Sequence, residues 1–214
     1  AGVTGIAPLP GTNGKTVIVT TGGPNPGKIY RTENGGATWA ISELTGDVRW
    51  TSLSVSPLTT FGLRPMYAAA NGSTWFRIRR SLDGGKTWTP LTLPSTKIYE
   101  ERSGFSVSAS KVKPNVVFAM SHEDGKCYRS DNFGSNWTDI SAGIPNYMES
   151  GPKAHPAGFN FGQGSYNYHL TTGTYRVVTA WSSETFDVLY SGNIDIAAYS
   201  QAWGGWISVG GPTW

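Results

Sequence analysis

The chain has 214 residues, of which 14% are charged, and its formal net charge is +3. This low charge beside 28 glycines and 9 tryptophans favours short strands and tight turns over helices, and the apolar fraction argues against disorder. The basic residues are scattered, so nucleic acid is not an expected partner, and no apolar run approaches the ~18 residues that cross a bilayer, so no membrane insertion is expected.

The first predicted unit covers about residues 1–45. Residues 5–9 and 16–20 predict two short strands. The sequence Tyr-Arg-Thr-Glu-Asn-Gly-Gly-Ala-Thr-Trp then occupies 30–39.

The second predicted unit covers about residues 46–94. Residues 50–56 alternate in polarity, which predicts a strand with one buried face. Residues 66–69 predict a second strand after a proline, and Arg-Arg-Ser-Leu-Asp-Gly-Gly-Lys-Thr-Trp occupies 79–88.

The third predicted unit covers about residues 95–145 and repeats this order. Residues 105–110 alternate, and residues 116–119 form a short apolar run after a proline. The sequence Tyr-Arg-Ser-Asp-Asn-Phe-Gly-Ser-Asn-Trp occupies 128–137.

The fourth predicted unit, at about 165–214, is more divergent. Residues 188–192 resemble the second strand of the other units, and residues 199–206 resemble their repeated sequence, one residue short and without its acid. The segment 146–164, rich in Gly, Pro and aromatic residues, predicts an inserted loop, and long ordered loops are often functional.

The repeat has a constant period. Trp39, Trp88 and Trp137 lie 49 residues apart each time. A repeat of ~40–50 residues is the length of one four-stranded propeller blade. We therefore predict an all-β fold, namely a single-domain β-propeller over 1–214 with four-stranded antiparallel blades, about four of them visible.

The repeated sequence resembles the Asp-box, also called the BNR repeat, whose pattern is Ser/Thr-x-Asp/Asn-x-Gly-x-Thr-Trp. Residues 81–88 fit it in full, residues 32–39 fit with Asn at the acid position, and residues 130–137 fit with Asn at the acid and threonine positions. The resemblance covers about residues 5–210, and the blade pattern is similar to sortilin-type and xyloglucanase-type propellers. A complete four-bladed propeller, part of a larger propeller completed by a second chain, and a fragment or divergent small member all stay open.

We call residues 32–39, 81–88 and 130–137 the first, second and third boxes. In each box an Asp or Asn can accept backbone hydrogen bonds in a tight turn, a glycine can take positive φ, and a tryptophan can bury apolar area between blades. The resemblance implies that the boxes lie on the rim, away from a ligand. The residues predicted to be structural are Thr32, Asn34, Gly36, Trp39, Ser81, Asp83, Gly85, Trp88, Ser130, Asn132, Gly134 and Trp137.

Propeller ligands usually bind on loops between blades and between the second and third strands. Aromatic rings there can stack on the C–H faces of sugars. The candidate ligand residues are Trp50, Trp75, Tyr99, Arg102, Tyr147 and His155. A core position is the alternative for Trp50, because it starts an alternating strand, and ordinary loop positions are the alternative for the others.

A glycosidase needs two carboxylates about 5 Å or about 6.5–9.5 Å apart across the bond to be cut. Weak catalytic candidates are Glu100, Glu101 and Glu149. The xyloglucanase resemblance implies a catalytic Asp in an early Arg-x-Asp-x-Gly-Gly element, but this chain has Asn34 there, which counts against that catalysis. No metal-ligand spacing occurs, no cofactor is expected, and the single cysteine, Cys127, is predicted to be structural.

Three functions stay open: an extracellular carbohydrate-binding propeller (lectin-like or an adhesion module), a glycoside hydrolase or a fragment of one acting on a polysaccharide, and a protein-interaction or structural assembly propeller. We prefer the first because the loops are rich in aromatic residues and show no evident catalytic pair. The expected partner is a carbohydrate or glycan, the expected location is secreted or cell-surface, and a homo-oligomer or a second chain completing the propeller is a further expectation. A fold alone does not fix function.

Overall fold

The chain folds into four antiparallel sheets of four strands each. No helix in the described ranges is long and apolar enough to cross a membrane. The strands of every sheet follow chain order, so the all-β, antiparallel and four-stranded parts of the prediction are confirmed. The computed structural model describes residues 2–22, 26–44, 48–72, 78–94, 104–121, 126–142, 169–178, 183–192, 196–200 and 205–208.

The strands are numbered along the chain. The first sheet contains β1 (Gly2–Pro8), β2 (Val17–Gly22), β3 (Lys28–Thr32) and β4 (Ala40–Leu44). The second contains β5 (Val48–Val55), β6 (Met66–Gly72), β7 (Ile78–Ser81) and β8 (Thr89–Leu91). The third contains β9 (Phe105–Ala109), β10 (Val117–Ser121), β11 (Cys127–Ser130) and β12 (Thr138–Asp139). The fourth contains β13 (His169–Val178), β14 (Ser183–Gly192), β15 (Ile196–Ser200) and β16 (Gly205–Ser208).

The second and third strands pair in the same register in all four sheets. In each of the first three, a residue on the second strand pairs with the first residue of the box, and the fourth sheet has an equivalent pair. These pairs are Val17 with Thr32, Met66 with Ser81, Val117 with Ser130 and Val188 with Ser200. Residues of different sheets that hold the same place relative to these pairs are called counterparts below.

Consecutive sheets pack face to face through their first strands. β1 contacts β5, β5 contacts β9, and β9 contacts β13. The first and fourth sheets make no comparable contact with each other through the described residues. The described chain is therefore an open series of sheets, in which the second sheet is covered on both faces and the first on one.

Two apolar cores lie between the first three sheets, and β6 contributes to both. Met66, Ala68 and Ala70 face the first sheet, whereas Tyr67 and Ala69 face the third. All five are fully buried. A continuous apolar run is typical of a strand that is covered on both faces, which explains why β6 shows no alternation in the sequence.

Hydroxyl groups join the first strands of neighbouring sheets. Ser52 Oγ accepts a hydrogen bond from Val107 N at 3.0 Å, and Ser54 Oγ accepts one from Ala109 N at 2.9 Å. β9 is the edge strand of its sheet, so these outward N–H groups lack a ladder partner. Thr172 Oγ1 donates to Ala109 O at 2.6 Å, which continues this seam into the fourth sheet.

Candidate functional site

The strands of each sheet end on two opposite sides, here called edges, and the two sides carry different residues. Because each sheet is a meander, the connectors between first and second strands and between third and fourth strands lie at one edge. The boxes are third-to-fourth connectors, so we call this the box edge. The connectors between second and third strands, and those between sheets, begin and end at the opposite edge, which we call the loop edge.

The second box is a turn closed around one carboxylate. Ser81 Oγ donates to Asp83 Oδ1 at 2.7 Å and accepts from Gly85 N at 2.8 Å. Asp83 also accepts from Lys86 N at 3.0 Å, and from Thr87 through both its amide, at 3.0 Å, and its hydroxyl, at 2.6 Å. These bonds occupy the carboxylate within its own turn.

The other two boxes repeat this turn with an amide in place of the acid. Thr32 Oγ1 donates to Asn34 Oδ1 at 2.9 Å, and Asn34 Oδ1 accepts from Thr38 N at 2.9 Å. In the third box, Ser130 Oγ donates to Asn132 Oδ1 at 2.9 Å, and Gly134 N donates to Ser130 Oγ at 2.8 Å. A neutral oxygen therefore holds the same turn.

The turn needs two successive residues with positive φ. In the second box these are Gly84 and Gly85, with φ of 70° and 82°. In the third box, Phe133 has φ of 60° before Gly134 at 84°. A residue with a side chain is disfavoured in this backbone conformation, so Phe133 is the position at which the turn is strained.

The hydrogen bonds of the second box govern the ionisation of its acid. Burial raises the pKa of Asp83, but the hydrogen bonds from Thr87, Ser81 and Lys86 together outweigh it and hold that pKa below its usual value. A general acid needs a raised pKa. Asp83 is therefore suited to holding a turn and not to donating a proton.

An arginine directly before each of the first two boxes reaches the box of the next sheet. Arg31 Nε donates to Gly84 O at 3.0 Å, and Arg80 Nη1 donates to Phe133 O at 2.9 Å. The two donors are counterparts, and so are the two acceptors. Arg129, the counterpart in the third sheet, pairs with Asp131 at 2.5 Å within its own box.

The box tryptophans do not share one environment. Trp88 is 9% exposed, packs in the core against the first sheet, and donates from Nε1 to Ser42 Oγ at 3.2 Å. Trp137 is half-buried against the second sheet. Trp39 is 45% exposed. Burial between sheets therefore holds for Trp88 and Trp137 and does not hold for Trp39.

The loop edge carries buried polar groups on the strand ends that the structure describes. Asn71 Oδ1 and Ser121 Oγ are buried, and no hydrogen bond to either comes from the described residues. Thr51 Oγ1 donates at this edge to Phe105 O at 2.8 Å. Buried polar atoms without a partner are unusual in folded proteins, so this edge holds unsatisfied hydrogen-bonding capacity.

A buried ion pair crosses from the first to the second sheet near the same edge. Arg79 Nε lies 3.4 Å from Glu43 Oε1, and both side chains are mostly buried. Charged groups at this depth need a partner, and this pair joins the first two sheets.

Of the candidate ligand residues, only Trp50 lies among the described residues. It is 1% exposed and packs in the core between the first and second sheets, which is the core alternative for this residue. The ligand candidates outside the described residues are Trp75, Tyr99, Arg102, Tyr147 and His155. The catalytic candidates Glu100, Glu101 and Glu149 also lie outside them.

The groups that join the sheets were not predicted from the sequence. Arg31 and Arg80 stand directly before the first hydroxyl of a box, so a repeated basic residue was the available signal. The pairing of Glu43 with Arg79 had no signal in the spacing. In the described ranges, no three His, Cys, Asp or Glu residues cluster as metal ligands do. Cys127 is buried and forms no disulfide.

No protein-family model matches the sequence, and none of the curated proteins matches it. Solved structures do. YCF48 from Cyanidioschyzon merolae aligns with 99% of this chain and 56% of its own, at 17% identity and a TM-score of 0.54. The GH74 xyloglucanase from Xanthomonas campestris aligns with 99% of this chain and 31% of its own, at 18% identity and a TM-score of 0.59. The GH74 enzyme from Niastella koreensis aligns with 97% and 30%, at 15% identity and a TM-score of 0.55.

These likenesses concern the fold alone. The neighbours are propellers, and the likeness suggests the same arrangement for the four sheets described above. The chain spans about half the length of the first neighbour and less than a third of the two GH74 enzymes.

Proposed function

We propose that this chain is a β-propeller module that binds carbohydrate at its loop edge and acts outside the cell, secreted or at the surface. The boxes are its Asp-boxes. The observation that carries the proposal is topological: every connector that holds a candidate ligand residue, apart from Trp50, is flanked by strand ends at the loop edge.

The composition of these connectors supports a sugar as the ligand. Trp75, Tyr99 and Tyr147 offer flat apolar rings, and Arg102 and His155 offer hydrogen-bond donors. Few polar groups among aromatic surfaces are typical of small-ligand sites. The buried acceptors of Asn71 and Ser121 lie at the same edge.

The box edge offers less to a ligand. The polar atoms of the second box bond to one another, since Asp83 accepts from three residues of its own turn. A ligand there would have to replace existing hydrogen bonds, which gives little net free energy. This contrast favours the loop edge.

The test measures retention of the chain on immobilised polysaccharides, with xyloglucan in the panel because GH74 enzymes are among the structural neighbours. Trp75→Ala and Tyr147→Ala should each weaken retention at least about 10-fold, as loss of a central aromatic contact does. Phe61→Ala is the matched control, since Phe61 is an aromatic residue 89% exposed at the box edge, and it should retain full binding. Absence of retention on every polysaccharide, or equal loss in the control, contradicts the proposal.

A glycoside hydrolase is the second candidate. It is favoured by the likeness to GH74 enzymes and by Glu100, Glu101 and Glu149, whose connectors also belong to the loop edge. Measuring new reducing ends together with retention separates the two functions. Release of sugar that Glu101→Gln or Glu149→Gln abolishes, with retention unchanged, indicates the hydrolase, whereas retention without new ends indicates the binding module.

A further inference from the structure

One face of the first sheet has no neighbour among the described residues. Val3 and Ile6 on β1 are each 67% exposed. Their counterparts in later sheets pack against the preceding sheet, since Trp50 corresponds to Val3 and is 1% exposed, and Val107 corresponds to Ile6 and is 2% exposed. The same places are therefore apolar in all three sheets and covered in only two.

The correspondence extends across the face. The positions that meet a preceding sheet are held in the first sheet by Val3, Ile6, Val17, Val19 and Trp39. In the second sheet they are held by Trp50, Leu53, Met66, Ala68 and Trp88, which pack in the core against the first sheet. We call Val3, Ile6, Val17, Val19 and Trp39 the open face.

The indole of Trp39 has no acceptor of the kind that Trp88 has. Trp88 Nε1 reaches Ser42 Oγ on β4 of the preceding sheet at 3.2 Å. No hydrogen bond from Trp39 Nε1 is made to the described residues. The ring instead lies beside its own Gly36, where a Cβ would be 3.6 Å from the ring.

A backbone acceptor on the first box is also open. Gly84 O and Phe133 O each accept from an arginine of the preceding sheet. Their counterpart is Gly35 O, and no side chain in the described ranges donates to it. The first sheet thus presents both the apolar and the polar half of the interface that joins the later sheets.

We propose that the open face docks a further four-stranded blade, one that lies outside the four sheets of this chain and has an arginine directly before its box. That arginine donates to Gly35 O as Arg31 does to Gly84 O. The fourth strand of the docked blade supplies a hydroxyl for Trp39 Nε1, as β4 supplies Ser42 for Trp88.

The register favours an occupant other than another surface of this chain. The following faces of the first three sheets are covered by the next sheet. The fourth sheet has Tyr199 where the third has Arg129, since Leu189 pairs with Tyr199 as Phe118 pairs with Arg129. Neither this chain's fourth sheet nor that of a second copy therefore supplies the arginine.

The test adds a blade of known fit to the full chain. A copy of residues 48–103 is joined to Gly2, as the native segment is joined to Gly104, so that the added sheet stands before the first. Its Arg80 then faces Gly35 O. We expect hydrogen exchange of the β1 and first-box amides to slow by at least about 10-fold relative to the unextended chain, because the covered strand opens less often.

Paired variants decide between outcomes. Ile6→Asp should lower the unfolding midpoint by several degrees in the extended chain and by less than about 1 °C in the unextended one, since an exposed position tolerates the charge. Arg80→Ala in the added copy alone should lose part of the added protection. Unchanged exchange in β1, or an added segment that stays unfolded, overturns the proposal.

Two further results would also overturn it. If Ile6→Asp destabilises the unextended chain as much as the extended one, the chain's own fourth sheet covers the open face. If the unextended chain doubles in native mass and Ile6→Asp restores the single mass, a second copy is the occupant.

Discussion

The first and second sheets carry the same pattern of residues and differ in their surroundings. The second sheet is covered on both faces, and its residues Met66 and Ala68 are fully buried. The counterparts in the first sheet, Val17 and Val19, are half-buried. An apolar pattern in the sequence therefore indicates a surface that a neighbouring sheet can cover. The exposure of those residues shows whether one of these four sheets covers it.

The largest expected difference concerns the box tryptophans. Trp88→Ala should lower the free energy of unfolding by about 3–5 kcal/mol, because it leaves a cavity between two sheets and removes the bond to Ser42. Trp39→Ala should cost less than about 1.5 kcal/mol, since that ring is 45% exposed. Urea unfolding of both variants measures the difference, and equal costs would show that the first sheet is covered after all.

The box glycines give a second comparison. Gly85 and Gly36 both have positive φ, so alanine strains the backbone at either site by about 1–2 kcal/mol. At Gly85, a Cβ would also lie 2.8 Å from Ile18 Cγ1 on the first sheet, and overpacking of this kind costs roughly a further 1–3 kcal/mol. Gly85→Ala should therefore destabilise more than Gly36→Ala in thermal unfolding, and Ile18→Ala, which removes Cγ1, should cost less in the Gly85 variant than in the Gly36 variant.

The sequence predicted the parts of this comparison that repeat. Trp39, Trp88 and Trp137 at constant spacing, with alternating strands before them, were enough for four-stranded antiparallel sheets. The different exposures of Trp39 and Trp88 could not be predicted, because burial depends on the adjacent sheet and not on the residue's own unit. For Trp50 the sequence left a ligand role and a core position as alternatives, and only the packed first sheet shows that its ring lies in the core.

The candidate site could be predicted less well than the fold. Sequence reasoning assigned the boxes their turn bonds because those bonds are local, within four residues of Ser81 or Thr32. The bonds that cross between sheets, such as Arg80 to Phe133, join residues 53 positions apart and depend on how the sheets stack. The period of the repeat predicts which residues meet across two sheets only when the stacking of the sheets is known.

The arginine that reaches the next sheet should have a smaller effect than the tryptophan or the glycine. Arg80→Gln removes the bond to Phe133 O and should lower the free energy of unfolding by about 1–1.5 kcal/mol. Arg49→Gln is the matched control, because Arg49 is an exposed arginine of the same sheet, and it should change stability by less than about 0.5 kcal/mol. Equal effects in chemical unfolding would mean that the bond between sheets contributes nothing measurable.

The smallest expected effect concerns the acid position of the box, which is Asp83 in the second box and Asn34 in the first. The pKa of Asp83 in the folded protein lies below its usual value, so the stability it contributes is present above the unfolded-state pKa and is lost as the pH falls through the folded-state pKa. The first box has Asn34 at this place and has no such dependence. Asp83→Asn should therefore lower the unfolding midpoint at neutral pH by less than about 3 °C, and the difference from the unsubstituted chain should shrink in acid.

Asn34→Asp should create the same pH dependence of stability in the first box. Other acid groups also make stability depend on pH, among them Asp139, whose pKa is lowered as well. Their contribution cancels when each variant is compared with the unsubstituted chain. A difference that stays constant from neutral to acid pH would show that the carboxylate of Asp83 holds its turn no better than an amide does.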